Sequence, residues 1–482
     1  MPQDKFIALD ISFAVRGERH GIANVQRKVW QIFQSNPKLK NLNIKYVCCY
    51  GNKDDFRYVE FGIEEAKEDL NKEEAKSGNF LYKLLINSVL IYNFAIYFLY
   101  FNFIKILRYK KTNKREFLYK LFAKNEINIF NFVFNLFFNK ICRFNDRKNK
   151  YESIKNQYSS QKDNVPYKIG NKVDFSKCSA LFLNAMVWDQ NFTQVLKFKN
   201  LYNFKLITIV HDLIPINNTM FTHVQKLFFK FIDFTTRNSD LILTVSKHVK
   251  KDIEDFQRQN SFLKDNSHNI TSICLASNEQ NTANNHSAYT LNEYLLKQNN
   301  YAVIVCTIEP RKNHRLLINI WREILNREPN KIIPLVIIGG IGWMVNDLIA
   351  ELNNDIKMKN HIILTGNVDD TTRDALLANA RFSLFPSFEE GFGLPIAESL
   401  AFGVPCITAD NSSLPEAGQG LTEMIDLLDT KKWYKTILKY ITDDNLIAQK
   451  KEQIENAKLR TWQDFEDDFV NIFIDFINAN KI

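Results

Sequence analysis

Glu390 and Glu398 flank a turn in "SFEEGFGLPIAES" (387–399), with Gly391, Gly393 and Pro395 between them. Carboxylates accept paired hydrogen bonds, so two of them at this spacing can hold the vicinal hydroxyls of a sugar and of a ribose. Gly391 and Gly393 let backbone N–H groups approach a ligand closely. Pro395 suits the first turn of a helix through "IAESLAF", and Gly403 suits its end. The positive end of that helix would face the same loop and favour a phosphate. A second cluster, "CTIEPRKNH" (306–314), offers Arg311 and Lys312. A guanidinium beside an ammonium matches a diphosphate. At a helix N-terminus two cations oppose the dipole, which is itself a hint that an anion is expected there. Glu389 reads as an ordinary loop carboxylate, and His314 as a helix N-terminal residue.

The elements that must position these groups alternate along the chain. "YAVIVC" (301–306), "IPLVIIG" (333–339), "HIILTG" (361–366), "RFSLFP" (381–386) and "VPCITA" (404–409) are short apolar runs. Helical patterns lie between them: "RLLINIWREIL", "VNDLIAELNN", "TTRDALLANA" and "PIAESLAFG". This alternation predicts βαβ units on a parallel sheet, whose ligands bind at the carboxyl ends of the strands. Both clusters directly follow such strands. Toward the N-terminus, "FIALDI" (6–11), "IKYVCCY" (44–50), "SALFLN" (179–184), "KLITIV" (205–210) and "DLILTV" (240–245) read as a second set of buried strands. "NEQNTANNHSAYTLNEY", from Asn278, is polar enough for an interdomain linker. Residues 430–482 return to helical periodicity. "GGIGW" (339–343) is a tight turn and not a dinucleotide fingerprint, because no Gly-x-Gly-x-x-Gly is completed. "NSSLPEAG" reads as a loop and helix start after "VPCITA".

A chain of 482 residues is too long for one ordinary core and predicts two large domains. The net charge of +9 is local. Residues 101–150 hold 13 Lys/Arg against three Asp/Glu, and ten of the 39 phenylalanines. Just before them, Leu84 to Ile104 runs 21 residues without a charge. That is long enough to span a bilayer, yet strands on both sides of it must share one sheet on one side of a membrane. A membrane-surface helical insertion satisfies both constraints, with the basic run "RYKKTNKR" (108–115) facing lipid phosphates. A buried helical hairpin is the alternative. Lysines interleaved with long apolar runs favour lipid over nucleic acid. Seven cysteines form no Cys-x-x-Cys pair, which fits free thiols in a reducing cytosol. Asp4 and Asp10 within "MPQDKFIALDISFAV" argue against a secretory signal.

The Glu-x7-Glu pattern of Glu390 and Glu398 in "EGFGLPIAESLAFGVPCITAD" resembles that of retaining glycosyltransferases of family four. "TIEPRKN", "IIGGIGW", "LTGNVDD", "SSLPE", "IVHDLIP" and "LTVS" occur in that family's order. The resemblance covers roughly residues 175–470, weakens near the start and is absent over about 75–170.

The resemblance implies an α/β protein of GT-B fold, two Rossmann-like domains facing a cleft, with a helical basic-aromatic insertion in the first. The expected boundaries are 1–285 for an acceptor domain, with the insertion at about 75–170, and 286–460 for a nucleotide-sugar domain. A C-terminal helix, 461–482, would be able to cross back to the first domain. It implies a retaining, metal-independent transferase with no cofactor beyond its nucleotide-sugar substrate, and the chain has no Asp-x-Asp. Arg311 and Lys312 would neutralise the donor diphosphate, with Gly21 beside it in the first N-domain loop. Glu390, with backbone groups of Phe392, Gly393 and Leu394, would hold the transferred sugar, and Glu398 the ribose. His211 of "HDLIP" would sit across the cleft near sugar and acceptor. Catalytic duty would fall to Glu390, His211, Arg311 and Lys312. Two departures stand out: Cys306 where the family generally has glycine, and Asn24 where relatives often carry arginine.

The expected activity is lipid-linked or polysaccharide glycan extension, of O-antigen or capsule type. It would take place in the cytoplasm on the inner face of the cytoplasmic membrane, with residues of about 80–145 on the membrane surface. The "TIEPRKN" loop resembles mannosyl- and rhamnosyltransferase forms, so GDP-mannose or a deoxy-hexose nucleotide is the expected donor. A soluble glucan synthase or phosphorylase of the same fold, and a non-catalytic membrane-bound scaffold, are the competing classes.

Overall fold

The computed structural model describes residues 5–12, 21–50, 55–61, 167–184, 192–218, 220, 224–260, 270–276 and 287–482. The expected insertion at about 75–170, with its uncharged run and basic cluster, lies almost wholly outside them. So does most of the linker that begins at Asn278. Two compact units are present: Met1–Ala14, Glu18–Phe56 and Lys172–Ile482 form one, Val15–Gly17 and Arg57–Asn171 the other. The described parts of the second unit lie in two strands, β3 (Asp55–Phe61) and β4 (Tyr167–Lys172).

The first unit holds two parallel sheets. In the first sheet β1 (Phe6–Asp10) pairs with β2 (Ile44–Tyr50) on one side and β5 (Cys178–Leu183) on the other. Beyond β5 follow β6 (Lys205–Val210), β7 (Leu241–Thr244) and β8 (Ile270–Ser272), all parallel. β1, β5, β6 and β7 are apolar runs without alternation, as expected of strands buried on both faces. Its helices are α1 (Gly21–Ser35), α2 (Phe192–Tyr202), the short α3 (Ile214–Asn217), α4 (Gln225–Asn238) and α5 (Lys247–Gln259).

The second sheet runs β11-β10-β9-β12-β13-β14. Its strands are β9 (Ala302–Val305), β10 (Leu335–Ile338), β11 (Ile362–Gly366), β12 (Phe382–Phe385), β13 (Cys406–Ala409) and β14 (Glu423–Ile425). In chain order this is 3-2-1-4-5-6, the Rossmann arrangement, so the order reverses between β9 and β12 and opens a crevice at their carboxyl ends. Helices α6 (Ser287–Glu293), α7 (His314–Arg327), α8 (Asn346–Asn354), α9 (Asp370–Ala378), α10 (Leu394–Ala401) and α11 (Leu414–Gly418) connect or precede the strands. The two Rossmann-like sheets expected from the alternating pattern are therefore present.

Helix α6 departs from the linker expectation. Its Leu291, with Leu296 just beyond it, packs against Leu376, Leu377 and Val303 in the core of the second sheet. The polar residues around Leu291 hide that one-sided contact from a reading of composition. After β14 come α12 (Thr430–Thr442), α13 (Asp444–Glu455) and α14 (Trp462–Ala479). Thr461 and Asp464 form a capping box that starts α14, and Phe465, Phe469 and Phe473 then fall on one face. Phe473 and Phe469 meet Phe33 of α1 at ring separations of 5.0 and 5.7 Å, and both also lie against Phe182 of β5. The chain's last helix thus rests on the first sheet. Among the described residues no helix is long and apolar enough to cross a membrane.

Candidate active site

The residues that follow β9 and β12 meet at the reversal of the second sheet. After β9 the chain turns through Pro310–Lys312, and Asn313, in the left-handed conformation at φ 55°, leads into α7. After β12 the loop of residues 386–393 reaches Gly393 at φ 107°, a conformation that favours glycine, and α10 begins with Pro395 in its first turn. The Phe388 N–H donates to the Arg311 carbonyl at 2.9 Å and stitches the two loops together.

Three of the expected site residues form one buried ion cluster. Arg311 Nη1 lies 2.7 Å from Glu390 Oε2, and Lys312 Nζ lies 2.5 Å from Oε1 of the same carboxylate. Arg311 also reaches Glu309 Oε1 at 2.5 Å and the Glu389 carbonyl at 2.6 Å. Lys312 Nζ sits 5.0 Å from the centre of the Phe385 ring. Burial alone would raise the pKa of Glu390, but Arg311 and Lys312 outweigh it and hold the carboxyl at about 2. A carboxylate charged at neutral pH thus shares two cations, and the backbone that carries it is braced. Ser412 Oγ accepts from the Glu390 N–H at 3.1 Å, and Ser413 Oγ donates to the Glu390 and Phe392 carbonyls. Those serines belong to "NSSLPEAG", whose role here is to hold the loop.

His211 follows β6, across from this loop. A Cβ built on Gly391 would fall 1.9 Å from the His211 carbonyl oxygen, so only glycine allows the approach. Ser246 Oγ, at the N-cap of α5, donates to the Gly391 carbonyl at 2.7 Å. The neighbouring Asp212 is half-buried, and desolvation pushes its carboxyl up to about 6 against the pull of Arg311. Glu398 is partly buried on α10. Burial raises its pKa, and Arg373 of α9 opposes that shift. Phe392 is buried beneath the loop. Gly393 and Leu394 stand at the start of α10. Gly21 opens α1, the helix that follows β1 in the first sheet. Cys306 is half-buried, desolvation pushes its thiol up to about 12, and its Sγ lies 3.5 Å from His314 Nε2. Burial lowers the His314 pKa to about 4, leaving a neutral core imidazole.

Several residues at the site were not singled out by sequence reasoning. Glu309 completes the environment of Arg311. Glu389 turns away from Glu390: its side chain accepts from Asn217 Nδ2 at 3.0 Å and from Asn218. Burial, aided by Asp252 and Asp212, lifts the Glu389 carboxyl to about 7. Glu416, of "SSLPE", accepts from the Lys247 and His248 N–H groups at 2.8 Å each and so caps α5 from the second sheet. The sequence signal for Glu416 was present in its motif; for Glu389 there was only adjacency to Glu390.

Residues 299–443, which carry all six strands of the second sheet, match the family described as glycosyl transferases group 1. The chain is 32% identical to O-antigen chain mannosyltransferase B of Escherichia coli over 185 residues, 38% of this chain and 48% of the relative. It is 26% identical to the serotype-specific mannosyltransferase WbdA of Escherichia coli over 275 residues, 55% of this chain and 33% of the relative. It thus spans about half the length of the first and a third of the second. Among solved structures, Anabaena Alr3699/HepE in complex with UDP and glucose aligns with 62% of this chain and 79% of its own, at TM-score 0.49 and 13% identity.

Proposed function

We propose that this chain is a retaining, metal-independent hexosyltransferase that moves a sugar from a nucleotide-sugar to a lipid-linked or polysaccharide acceptor during O-antigen-type glycan assembly. The observation that carries this reading is the Arg311–Lys312–Glu390 cluster at the reversal of the second sheet, where such sheets bind nucleotides. The similarity to O-antigen mannosyltransferases makes mannose the first sugar to test, with GDP-mannose as donor and a deoxy-hexose nucleotide next.

In this reading the donor diphosphate takes over part of the positive charge now shared by Glu390. Breaking the glycosyl–phosphate bond leaves an oxocarbenium-like sugar and a diphosphate whose charge grows in the transition state. Arg311 and Lys312, already in place and partly desolvated, stabilise that charge without reorganising. Released from one cation, Glu390 accepts hydrogen bonds from sugar hydroxyls and orients the ring, together with backbone groups of Phe392, Gly393 and Leu394. Glu398 takes the ribose. His211 lies on the acceptor side, and Gly21 faces the diphosphate from the first sheet. No carboxylate is assigned as a nucleophile, so retention follows from attack on the same face, with a leaving-group oxygen accepting the acceptor's proton.

The acceptor's lipid anchor fits a peripheral location on the inner face of the cytoplasmic membrane, with residues of about 80–145 on the surface. Incubation of the chain with a panel of nucleotide-sugars and membrane lipid extract, scored by nucleotide release and by the anomeric configuration of the product, tests the reading. Release from GDP-mannose or a related donor, with the donor's anomeric configuration kept, is the expected result. Absence of turnover with every donor, or an inverted product, overturns it.

A further inference from the structure

Glu389, His248 and Asp252 place one ligand atom each within 4.8 Å of one another, at the boundary between the loop after β12 and helix α5. His248 and Asp252 are four residues apart on α5, so both side chains leave the same face of the helix. His248 Nε2 and Asp252 Oδ2 are 3.4 Å apart. That separation is the edge of a coordination tetrahedron whose metal–ligand bonds are about 2.0–2.1 Å long. Asn217, from the end of α3, aims its terminal amide at the same point: Nδ2 is 3.0 Å from Glu389 Oε1 and 3.2 Å from Asp252 Oδ2.

We infer that His248, Asp252 and Glu389 form a binding site for a first-row divalent cation of the zinc class, which ties the two sheets together outside the Arg311–Lys312–Glu390 cluster. An imidazole nitrogen and two carboxylate oxygens are a donor set for zinc, cobalt or manganese and not for calcium, which takes six to eight oxygens. A half-turn of the Asn217 amide presents Oδ1 as a fourth ligand; a water can fill the same position. The surroundings favour a cation. Glu389, Asp252 and Asp212 repel one another within a partly desolvated space, where, among the described residues, the neutral amides of Asn217 and Asn218 donate to Glu389. A divalent ion removes that repulsion and crosslinks α5 to the β12 loop. The loop already meets α5 through Ser246 and Gly391. The site does not depend on the glycosyltransferase reading, and it lies on the side of the loop that Glu389 faces, away from the groups assigned to the donor.

The test uses the intact chain, stripped with EDTA and dialysed, then titrated with Co2+ in the absence of nucleotide. One equivalent should bind and produce visible d–d absorption of tetrahedral intensity, and Zn2+ should displace it. His248→Gln and Asp252→Asn should each weaken binding on the order of 100-fold, with unchanged far-UV circular dichroism. A second measurement needs no variant: Zn2+ should protect His248, and not His361, from diethyl pyrocarbonate in peptide mapping. Failure of Co2+ to bind stoichiometrically overturns the proposal. So does binding that survives both substitutions, or Zn2+ that leaves His248 reactive.

Discussion

The backbone of Gly391 presses against the carbonyl of His211 so closely that a single added methyl would stand 1.9 Å from the oxygen. This is where the loop carrying Glu390 touches the end of β6, and no flexible side chain is available to yield. Gly391→Ala should therefore push the loop away from β6 and misplace Glu390 relative to Arg311. A 1 Å misplacement of a positioned group costs on the order of 100-fold in rate. The expected outcome is a drop of that size in kcat with a lowered thermal midpoint. Near-normal kcat in Gly391→Ala would mean that this contact does not set the loop.

Glu390→Gln separates positioning from folding. The amide keeps the shape of the side chain but leaves Arg311 and Lys312 without their shared carboxylate, a loss of about 3 kcal/mol for a buried pair. Under the proposed mechanism kcat should fall about 10²–10³-fold. Donor binding, measured by calorimetry with the nucleoside diphosphate, should hold or tighten because the cations no longer serve a competing anion. Weaker diphosphate binding in Glu390→Gln would contradict the charge handover.

The two adjacent glutamates should affect stability in opposite directions as pH changes. Glu390 has a folded pKa of about 2, below its ordinary 4.5. Its contribution is present above pH 4.5 and is lost as pH falls from 4.5 toward 2. Glu389 has a folded pKa of about 7, above the same ordinary 4.5. The folded chain then holds a proton that the unfolded chain has released, so stability falls as pH rises from 4.5 to 7. Asp212 and Asp252, both raised to about 6 by burial, act in the same direction as Glu389. Denaturant unfolding in EDTA at a series of pH values should show a shallower decline between pH 4.5 and 7 in Glu389→Gln. Glu390→Gln should flatten the acid limb instead. Superimposable profiles for wild type and Glu389→Gln would remove the buried-carboxyl account.

The contrast between these neighbours also shows how far the sequence could be read. Arg311, Lys312 and Glu390 directly follow apolar strand runs, and strand ends in a parallel sheet are where ligands bind, so chain order alone brought them together. The partners of Glu389 are Asn217, Asn218, His248 and Asp252, which lie on α3, the turn after it and α5. No periodicity links those positions to residue 389; only the placement of one sheet against the other does. Short elements were invisible for a different reason. β8 and β14 are three residues each, too brief for alternation to register. Helix α6 buries Leu291 beneath a polar exterior and reads as linker until the second sheet supplies its partner. The packing of α14 onto Phe33 and Phe182 is half legible. The repeat of Phe465, Phe469 and Phe473 announces an apolar face, while the expectation that it crosses back to the first domain comes with the resemblance and not from the repeat.

Glu416 offers a test of the brace between α11 and α5 that leaves the ion cluster untouched. The first N–H groups of a helix have no partner within it. At α5 Ser246 Oγ takes the Val249 N–H at 3.1 Å, while Glu416 takes those of Lys247 and His248. Removing a cap of this kind costs about 1 kcal/mol, and a carboxylate near the positive end of the helix adds a few tenths more. Glu416→Ala should therefore cost about 1–2 kcal/mol in denaturant unfolding and speed amide exchange at Lys247 and His248. Ser246→Ala should cost about 1 kcal/mol as well, and it also removes the bond to the Gly391 carbonyl. Both substitutions loosen the same helix end, so the double variant should lose less than the sum of the two. Strict additivity, or unchanged exchange at Lys247 and His248 in Glu416→Ala, would show that the α11 carboxylate does not carry the start of α5.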